Sequence, residues 1–270
     1  MRIMLVGDVV GRPGRKAIRH WLPILIDEHA LDFVVVNAEN AAAGFGITFG
    51  SARELLDAGA DCLTTGNHIW SQKSTEDLVE DEPRLLRPAN YPPQCAGAGA
   101  RLYTARCGTN VGVLNLQGRV FMGELDCPFR TADAEIEQLR RQGAQAIVVD
   151  FHAEATSEKI AMGRHLDGRV AAVVGTHTHV MTADEQILSR GTAYITDLGM
   201  TGPVEDTIIG VQAKEVMTRF LTLMPQRFHV PKRGKSRFGA VIVDYCLDSG
   251  RAKHIQRIEK YTAADESNLI

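Results

Sequence analysis

The segment FVVVNAEN, residues 33–40, runs four apolar residues together before a polar ending. A strand with one wet face alternates apolar and polar residues. Consecutive valines are expected instead where both faces are covered, as in a parallel strand inside an α/β sheet. Directly after this strand comes Glu39, flanked by VVV on one side and AAA on the other. A carboxylate in such surroundings is expensive to bury without a partner.

Working outward, short β-branched runs alternate with amphipathic stretches, the pattern of an α/β fold. IMLVG (3–7) precedes a helix with Pro13 near its first turn and Ala17, Ile18, Trp21, Leu22 and Leu25 on one face. A helix over 49–58 leads to CLTTGN (62–67), and a polar helix over 72–81 is broken by RPANYPP (87–93). Residues 101–118 predict a hairpin turning at Gly108, Thr109 and Asn110. Then come a helix over 132–142, the strand AIVVDFH (146–152), a helix over 156–165 and the strand VAAVVGTH (170–177). TAYITDLG (192–199) and a hairpin over 236–261 complete the set. Parallel βα units followed by an antiparallel hairpin predict two packed sheets with helices outside. Residues 1–199 and 235–270 are assigned to this core, and 200–234 to a small helical excursion. Its helix, over 211–224, carries Val211, Val216, Met217, Phe220, Leu221 and Met224. That apolar load predicts a contact with the core or with another subunit, so a homo-oligomer is expected.

Composition narrows the classes. The 270 residues are 44% hydrophobic and 23% charged, as in ordinary globular proteins, and the net charge of −3 gives no support to a nucleic-acid or membrane partner. Five cysteines without a C-x-x-C pair argue against a disulfide framework and a zinc ribbon. Reduced, mostly buried thiols are expected, strand-like at Cys62, Cys107 and Cys246 and loop-like at Cys95 and Cys127. The apolar N-terminus is interrupted by Asp8, and no run approaches the ~20 residues of a membrane span. A cytoplasmic protein is expected.

Ligands of α/β sheets bind at the carboxyl ends of strands. Here those ends carry Asp8, then Glu39 and Asn40, then Asn67 and His68, then His152, then His177 and His179. Singly, the asparagines are most often turn formers and the histidines rim or core residues. His177 and His179 would point the same way only if their strand continued. Jointly, metal-ligand types ending five strands predict a metal centre. Seven candidates, Asp8, Glu39, Asn40, Asn67, His152, His177 and His179, exceed what one zinc needs. They suit two ions ~3.5–4 Å apart that share a carboxylate. Oxygen and imidazole donors without thiolate favour Mn, Fe or Zn over Ca.

At these residues the chain resembles the calcineurin-like metallophosphoesterases, through Gly7-Asp8, Glu39, Gly66-Asn67-His68, His152 and His177-Thr178-His179. GDVVGRPGR, VVNAENAAAGFGIT, LTTGNHIWSQK, LRPANYP, DFHAEATSEK and GTHTHVMTADE are more narrowly similar to the YmdB-type bacterial phosphodiesterases, over nearly the whole chain. Two departures stand out: Val10 replaces a first-site histidine, and Glu39 replaces the bridging aspartate, with Asn40 beside it. The resemblance implies a four-layer α/β/β/α core and a helical part used in self-association. It implies one metal site of Asp8, Glu39, Asn40 and His179 and another of Glu39, Asn67, His152 and His177. It also implies hydrolysis of phosphodiesters, including 2′,3′-cyclic nucleotides, by hydroxide made at two divalent ions. His68 is then expected to stabilise the transferring group or protonate the leaving oxygen. A regulatory protein that binds a nucleotide or RNA at the same site with little turnover is the alternative; an amidohydrolase-type barrel is disfavoured, since its strand count and early H-x-H are absent from this sequence. No Walker-type loop is present, and AAAGFG (41–46) is expected to form a flexible rim.

Overall fold

Along the strand Arg2–Val6 the side chains sort into two cores. Met4 and Val6 pack with Ala17, Ile18 and Leu22 of the helix Gly11–His29, while Ile3 and Leu5 pack with Val111, Val113 and Val148 of a second sheet. The valines of Phe33–Asn37 divide likewise: Val34 and Val36 face helices, and Val35 faces the other sheet. Consecutive apolar residues thus serve two buried faces of one strand. On the second sheet Val149, Phe151 and Val173 pack on Ile136 and Leu139 of the helix Pro128–Arg141 and on Met162 and Leu166 of the helix Thr156–Leu166. Three cores therefore separate four layers, helix, sheet, sheet and helix, in the computed structural model, which describes residues 1–263. The remainder of the expected core segment, 264–270, lies outside the described residues.

The first sheet runs in the order Asp8–Val9, Met200–Pro203, Ser236–Cys246, Arg2–Val6, Phe33–Asn37, Cys62–Thr64, with Arg251–Thr262 paired to Ser236–Cys246. Arg2–Val6 and Cys62–Thr64 are both parallel to Phe33–Asn37, so their carboxyl ends share one edge. The second sheet runs Ala100–Thr104, Asn110–Gln117, Ala146–His152, Ala172–Thr176, Ala193–Ile195, Gln186–Ile187. Its central strands are parallel. Both sheets deliver their polar strand ends to the same place, because Asn37 reaches Asp150 at 2.9 Å and the Thr65 N–H reaches Asn115 at 2.9 Å across the sheet–sheet boundary.

Some expectations are corrected. Met200–Pro203, placed in the excursion, is a strand that pairs with Asp8–Val9 and with Ser236–Cys246. Gly199, Gly202 and Pro203 make it read as a loop, but the proline ends the strand, where a missing N–H costs nothing. What leaves the sheets begins at Val204 and holds a small hairpin, Thr207–Ile208 with Val211–Gln212, and the helix Ala213–Thr222. Only Val216 of that helix is buried; Met217, Phe220 and Leu221 are exposed. The polar helix is Thr75–Asp81, preceded by a 3-10 turn at Ile69–Ser71. The cysteines are free, but of the five only Cys62 is buried; Cys107 is exposed in the turn after Ala100–Thr104. Among the described residues, no helix is long and apolar enough to cross a membrane.

The step from Arg2–Val6 to Asp8 depends on Gly7. Its N–H donates to Gly239 O at 3.0 Å, and a Cβ there would stand 2.0 Å from Gly199 O. Gly7→Ala is expected to cost about 1–3 kcal/mol through overpacking. Urea unfolding checks this as a lower midpoint at unchanged slope.

Candidate metal centre

Asp8 opens the short strand beside Met200–Pro203, and Glu39 and Asn40 lie in the turn after Phe33–Asn37. Asn67 and His68 follow Cys62–Thr64, His152 is the last residue of its strand, and His177 and His179 follow Ala172–Thr176. Asp8, Glu39, Asn40 and His152 are buried, and Asn67, His68, His177 and His179 are half-buried.

Two groups of atoms form. His152 Nε2 has three close neighbours: Glu39 Oε1 at 3.1 Å, Asn67 Oδ1 at 3.1 Å and His177 Nδ1 at 3.0 Å. Donor atoms of Glu39, His152 and His177 all lie within 4.8 Å of one another. Beside them, the Asn40 amide lies 3.1 Å from His179 Nε2 and 3.0 Å from Glu39 Oε1. His179 Nε2 is 3.9 Å from Asp8 Oδ1, which is buried without a hydrogen-bond partner. Glu39 Oε1 belongs to both groups. The seven expected ligands are brought together in this way, and the imidazole of His68 stands apart from them. Its ring meets Ser71 Oγ at 3.5 Å and the Phe45 ring in a T-shaped contact with centroids 5.0 Å apart, while its backbone N–H donates to Glu39 Oε2 at 3.2 Å.

The outward ring nitrogens fix the three tautomers. His179 Nδ1 meets the carbonyl of Ile209 at 2.9 Å, so that nitrogen carries the hydrogen and Nε2 keeps its lone pair. His177 Nε2 meets Glu154 at 3.2 Å, which leaves Nδ1 as the inward acceptor. His152 Nδ1 meets Thr176 Oγ1 at 2.9 Å, and that hydroxyl donates to Asp150 at 2.7 Å, so Nδ1 donates and Nε2 faces inward. Each imidazole is held from outside, as metal-ligating histidines are. Inside, imidazole lone pairs, the Asn67 amide oxygen and two carboxylates face one another, with the Asn40 amide N–H groups as donors on the Glu39 and His179 side. A single proton on His152 Nε2 can satisfy only one of its three neighbours, and Asp8 Oδ1 none. Acceptors crowded in this way, with a buried carboxylate oxygen left over, fit a site for cations.

Burial pushes Asp8 up to about 6 against the charges of His179 and His152. For Glu39, burial is outweighed by His152, and its carboxyl is held down to about 2. His152 is likewise held up to about 9, burial being outweighed by Glu39. His177 is pushed down to about 3 by burial and by the charge of His152, and so is a neutral donor at pH 7.

The pair His177 and His179 is not a continued strand. The strand stops at Thr176, and both residues take left-handed backbone, φ 104° and 65°. Such conformations cost about 1–3 kcal/mol each and persist only where neighbours impose them. Here Asp8 Oδ2 accepts the His177 N–H at 3.1 Å and Asp197 Oδ2 accepts the Thr178 N–H at 3.2 Å. Asp197 is in turn held by the buried Lys159 at 2.6 Å. A Cβ at Gly66 would stand 2.1 Å from the His152 ring, so glycine lets the Asn67 turn approach it. Asn115 clips that turn by bonding both Thr65 N and Thr65 O at 2.9 Å. Asp150, Asn115, Asp197, Lys159 and Ile209 escaped the sequence reading. Asp150 and Asn115 leave a signal, a polar residue inside an otherwise apolar strand. AAAGFG forms a turn in which Gly44 N–H bonds Asn40 O at 3.2 Å.

If cations occupy this site they must displace the His152 proton. Metal titration at pH 7 is expected to release about one proton. Calorimetry in two buffers of different ionisation enthalpy measures it; equal heats in both would contradict the proton's displacement. Lys159→Ala should cost about 3–5 kcal/mol by leaving Asp197 buried and unpaired, read by denaturant unfolding.

Residues 4–258 match the family described as YmdB-like protein. Over 258 residues, 96% of either chain, the sequence is 46% identical to the 2′,3′-cyclic-nucleotide 2′-phosphodiesterase of Bacillus subtilis (strain 168). A crystal structure of a hypothetical protein from Thermus thermophilus superposes with a TM-score of 0.90 at 41% identity, covering 97% of this chain and 99% of that one. A phosphatase structure from Mycoplasma pneumoniae gives 0.90 at 31% identity, covering 98% and 95%. With a family match over nearly its whole length and these relatives on the same four-layer frame, the chain belongs to the YmdB-like protein family.

Proposed function

We propose that the protein is a metal-dependent phosphodiesterase acting on phosphodiesters such as 2′,3′-cyclic nucleotides. The observation that carries this reading is the set of three histidines clamped from outside, whose inward nitrogens meet Glu39 (His152), Asp8 (His179) and one another (His177 with His152) in one cluster. The name of the Bacillus relative supplies the ester class. Asp8, Glu39, Asn40 and His179 would hold one divalent ion and Glu39, Asn67, His152 and His177 the other, with Fe, Mn and Zn all suited to the donors. When bound, two such ions activate water at neutral pH and neutralise charge on the phosphoryl oxygens.

The residues of the chain have separable tasks. Asp8 and Glu39 bring the negative charge that retains cations in a buried site. The neutral amides of Asn40 and Asn67 add no charge, Asn67 facing the cluster with its oxygen and Asn40 with its Nδ2. Asn40 would turn its amide over to offer an oxygen to an ion. His68, adjacent to Asn67 but with its ring free of the donor cluster, is placed to donate to the ester. Burial lowers its pKa, Glu39 opposes this, and the charges of His152 and His179 add to it; a bound phosphate anion would oppose it further. Water adds to phosphorus, the P–O2′ bond breaks, and the 2′ oxygen leaves with a proton, giving a 3′-monophosphate.

Glu39→Gln is expected to keep the fold but to abolish turnover of bis-p-nitrophenyl phosphate by more than ~10²-fold. It should also bind fewer than about two metal equivalents by elemental analysis. Wild-type turnover by this variant at saturating Mn would remove the bridging role. His68→Ala should lose ~10²–10⁴-fold in rate on a ribose ester, with metal content intact and a smaller loss on nitrophenyl esters. A missing ion in that variant would make His68 a ligand. The helix Ala213–Thr222 leaves Phe220 and Leu221 in water, which supports self-association there. Sedimentation of a Phe220→Glu, Leu221→Glu double variant should show a smaller species than the parent.

A further inference from the structure

A cavity of about 680 Å³ is walled on one side by Ala42, Ala43 and Phe45, from the turn that follows Asn40. Phe45 and Phe228 supply its aromatic surface and Arg12, Arg227 and Lys232 its charge, and no acidic residue lines it. None of these three cations is ion-paired among the described residues. The overall charge of −3 conceals this local excess. Phe45 joins the cavity to the site, since its ring meets the His68 ring in a T-shaped contact with the centroids 5.0 Å apart. The far wall comes from the excursion, where Val230 packs so closely that a Cβ on Gly44 would stand 2.6 Å from it and one on Gly11 3.0 Å. Gly11 and Gly44 both donate their N–H to Asn40 O, at 2.9 and 3.2 Å. The wall is therefore seated on the same backbone that positions a candidate ligand.

Resting on the phosphodiesterase reading, we propose that this cavity is a subsite for the nucleotides preceding a 2′,3′-cyclic phosphate, so that the preferred substrate is an oligoribonucleotide end. Unpaired cations beside aromatic rings recognise single-stranded nucleic acid, the cations tracking phosphates and the rings stacking bases. A cyclic mononucleotide at the metal centre has no second phosphate to place there. An oligonucleotide has one at each preceding residue, linked through the 5′ oxygen of the terminal ribose. The cavity is lined by the turn after Asn40 and reaches His68 through Phe45, on the side where such a chain would leave the site.

The test compares kcat/KM for a cyclic mononucleotide and for a trinucleotide ending in a 2′,3′-cyclic phosphate. The wild type should favour the trinucleotide by at least tenfold. Raising salt from about 50 to 200 mM should reduce that preference about sevenfold, for two phosphate contacts at ~0.7 each. Arg227→Glu with Lys232→Glu, both exposed, should abolish the preference and leave the mononucleotide value within about twofold. Equal kcat/KM for both substrates in the wild type, or a preference that survives the double substitution, overturns the subsite. Fluorescence anisotropy of a labelled trinucleotide 3′-phosphate reads the cavity without turnover. Salt-dependent binding that the double variant loses, in a protein that cleaves neither ester, keeps the subsite and overturns the phosphodiesterase reading. Cleavage of the mononucleotide with trinucleotide binding unaffected by the substitutions does the reverse.

Discussion

Everything at the site turns on one buried contact, Glu39 against His152 at 3.1 Å. Neither side chain reaches water, and burying either alone in ionised form would cost several kcal/mol. Together they are tolerable, and the charge balance fixes what else can stand nearby. Asn67 and His177 add lone pairs, Asn40 and His179 attach on the other side of the same carboxylate, and Asp8 adds a second negative charge. A proton balances only part of that set. Under the proposed function, divalent cations would supply the positive charge that the chain itself does not.

The four layers serve this contact. Glu39 comes from the first sheet and His152 from the second, so the two meet only if the sheets pack in a fixed register. Asn37 to Asp150, Thr64 to Asp150 at 2.5 Å and Asn115 to Thr65 set that register near the site, where apolar packing alone would allow sliding. Asp150 also anchors Thr176 and through it His152. One buried carboxylate thus locks the sheets and orients a candidate ligand, which explains a charged residue inside AIVVDFH.

The layers were legible because burial on both faces leaves a plain mark in FVVVN, and the candidate ligands because metal-binding residue types recur at strand ends. What was hidden depends on contacts distant in sequence. His177 and His179 looked like alternate residues of a strand; their left-handed backbone is imposed by Asp8 and Asp197, which the local sequence does not announce. Met200–Pro203 carries the marks of a loop and becomes a strand because Asp8–Val9 and Ser236–Cys246 offer it partners. Cys107 lies in a turn rather than the strand its neighbours suggested, and is exposed for that reason. The cavity walls come from residues 12, 45 and 227–232, so its charge could not be seen in a net value for the chain.

The central claim is that Glu39 bridges two cations. Manganese titration followed by electron paramagnetic resonance tests it most directly, since ions ~3.5–4 Å apart on one carboxylate couple magnetically. The account predicts a coupled multiline signal that reaches its maximum near two equivalents and is replaced by isolated-ion signals in Glu39→Gln. Saturation near one equivalent with only an isolated Mn signal in the wild type would contradict it.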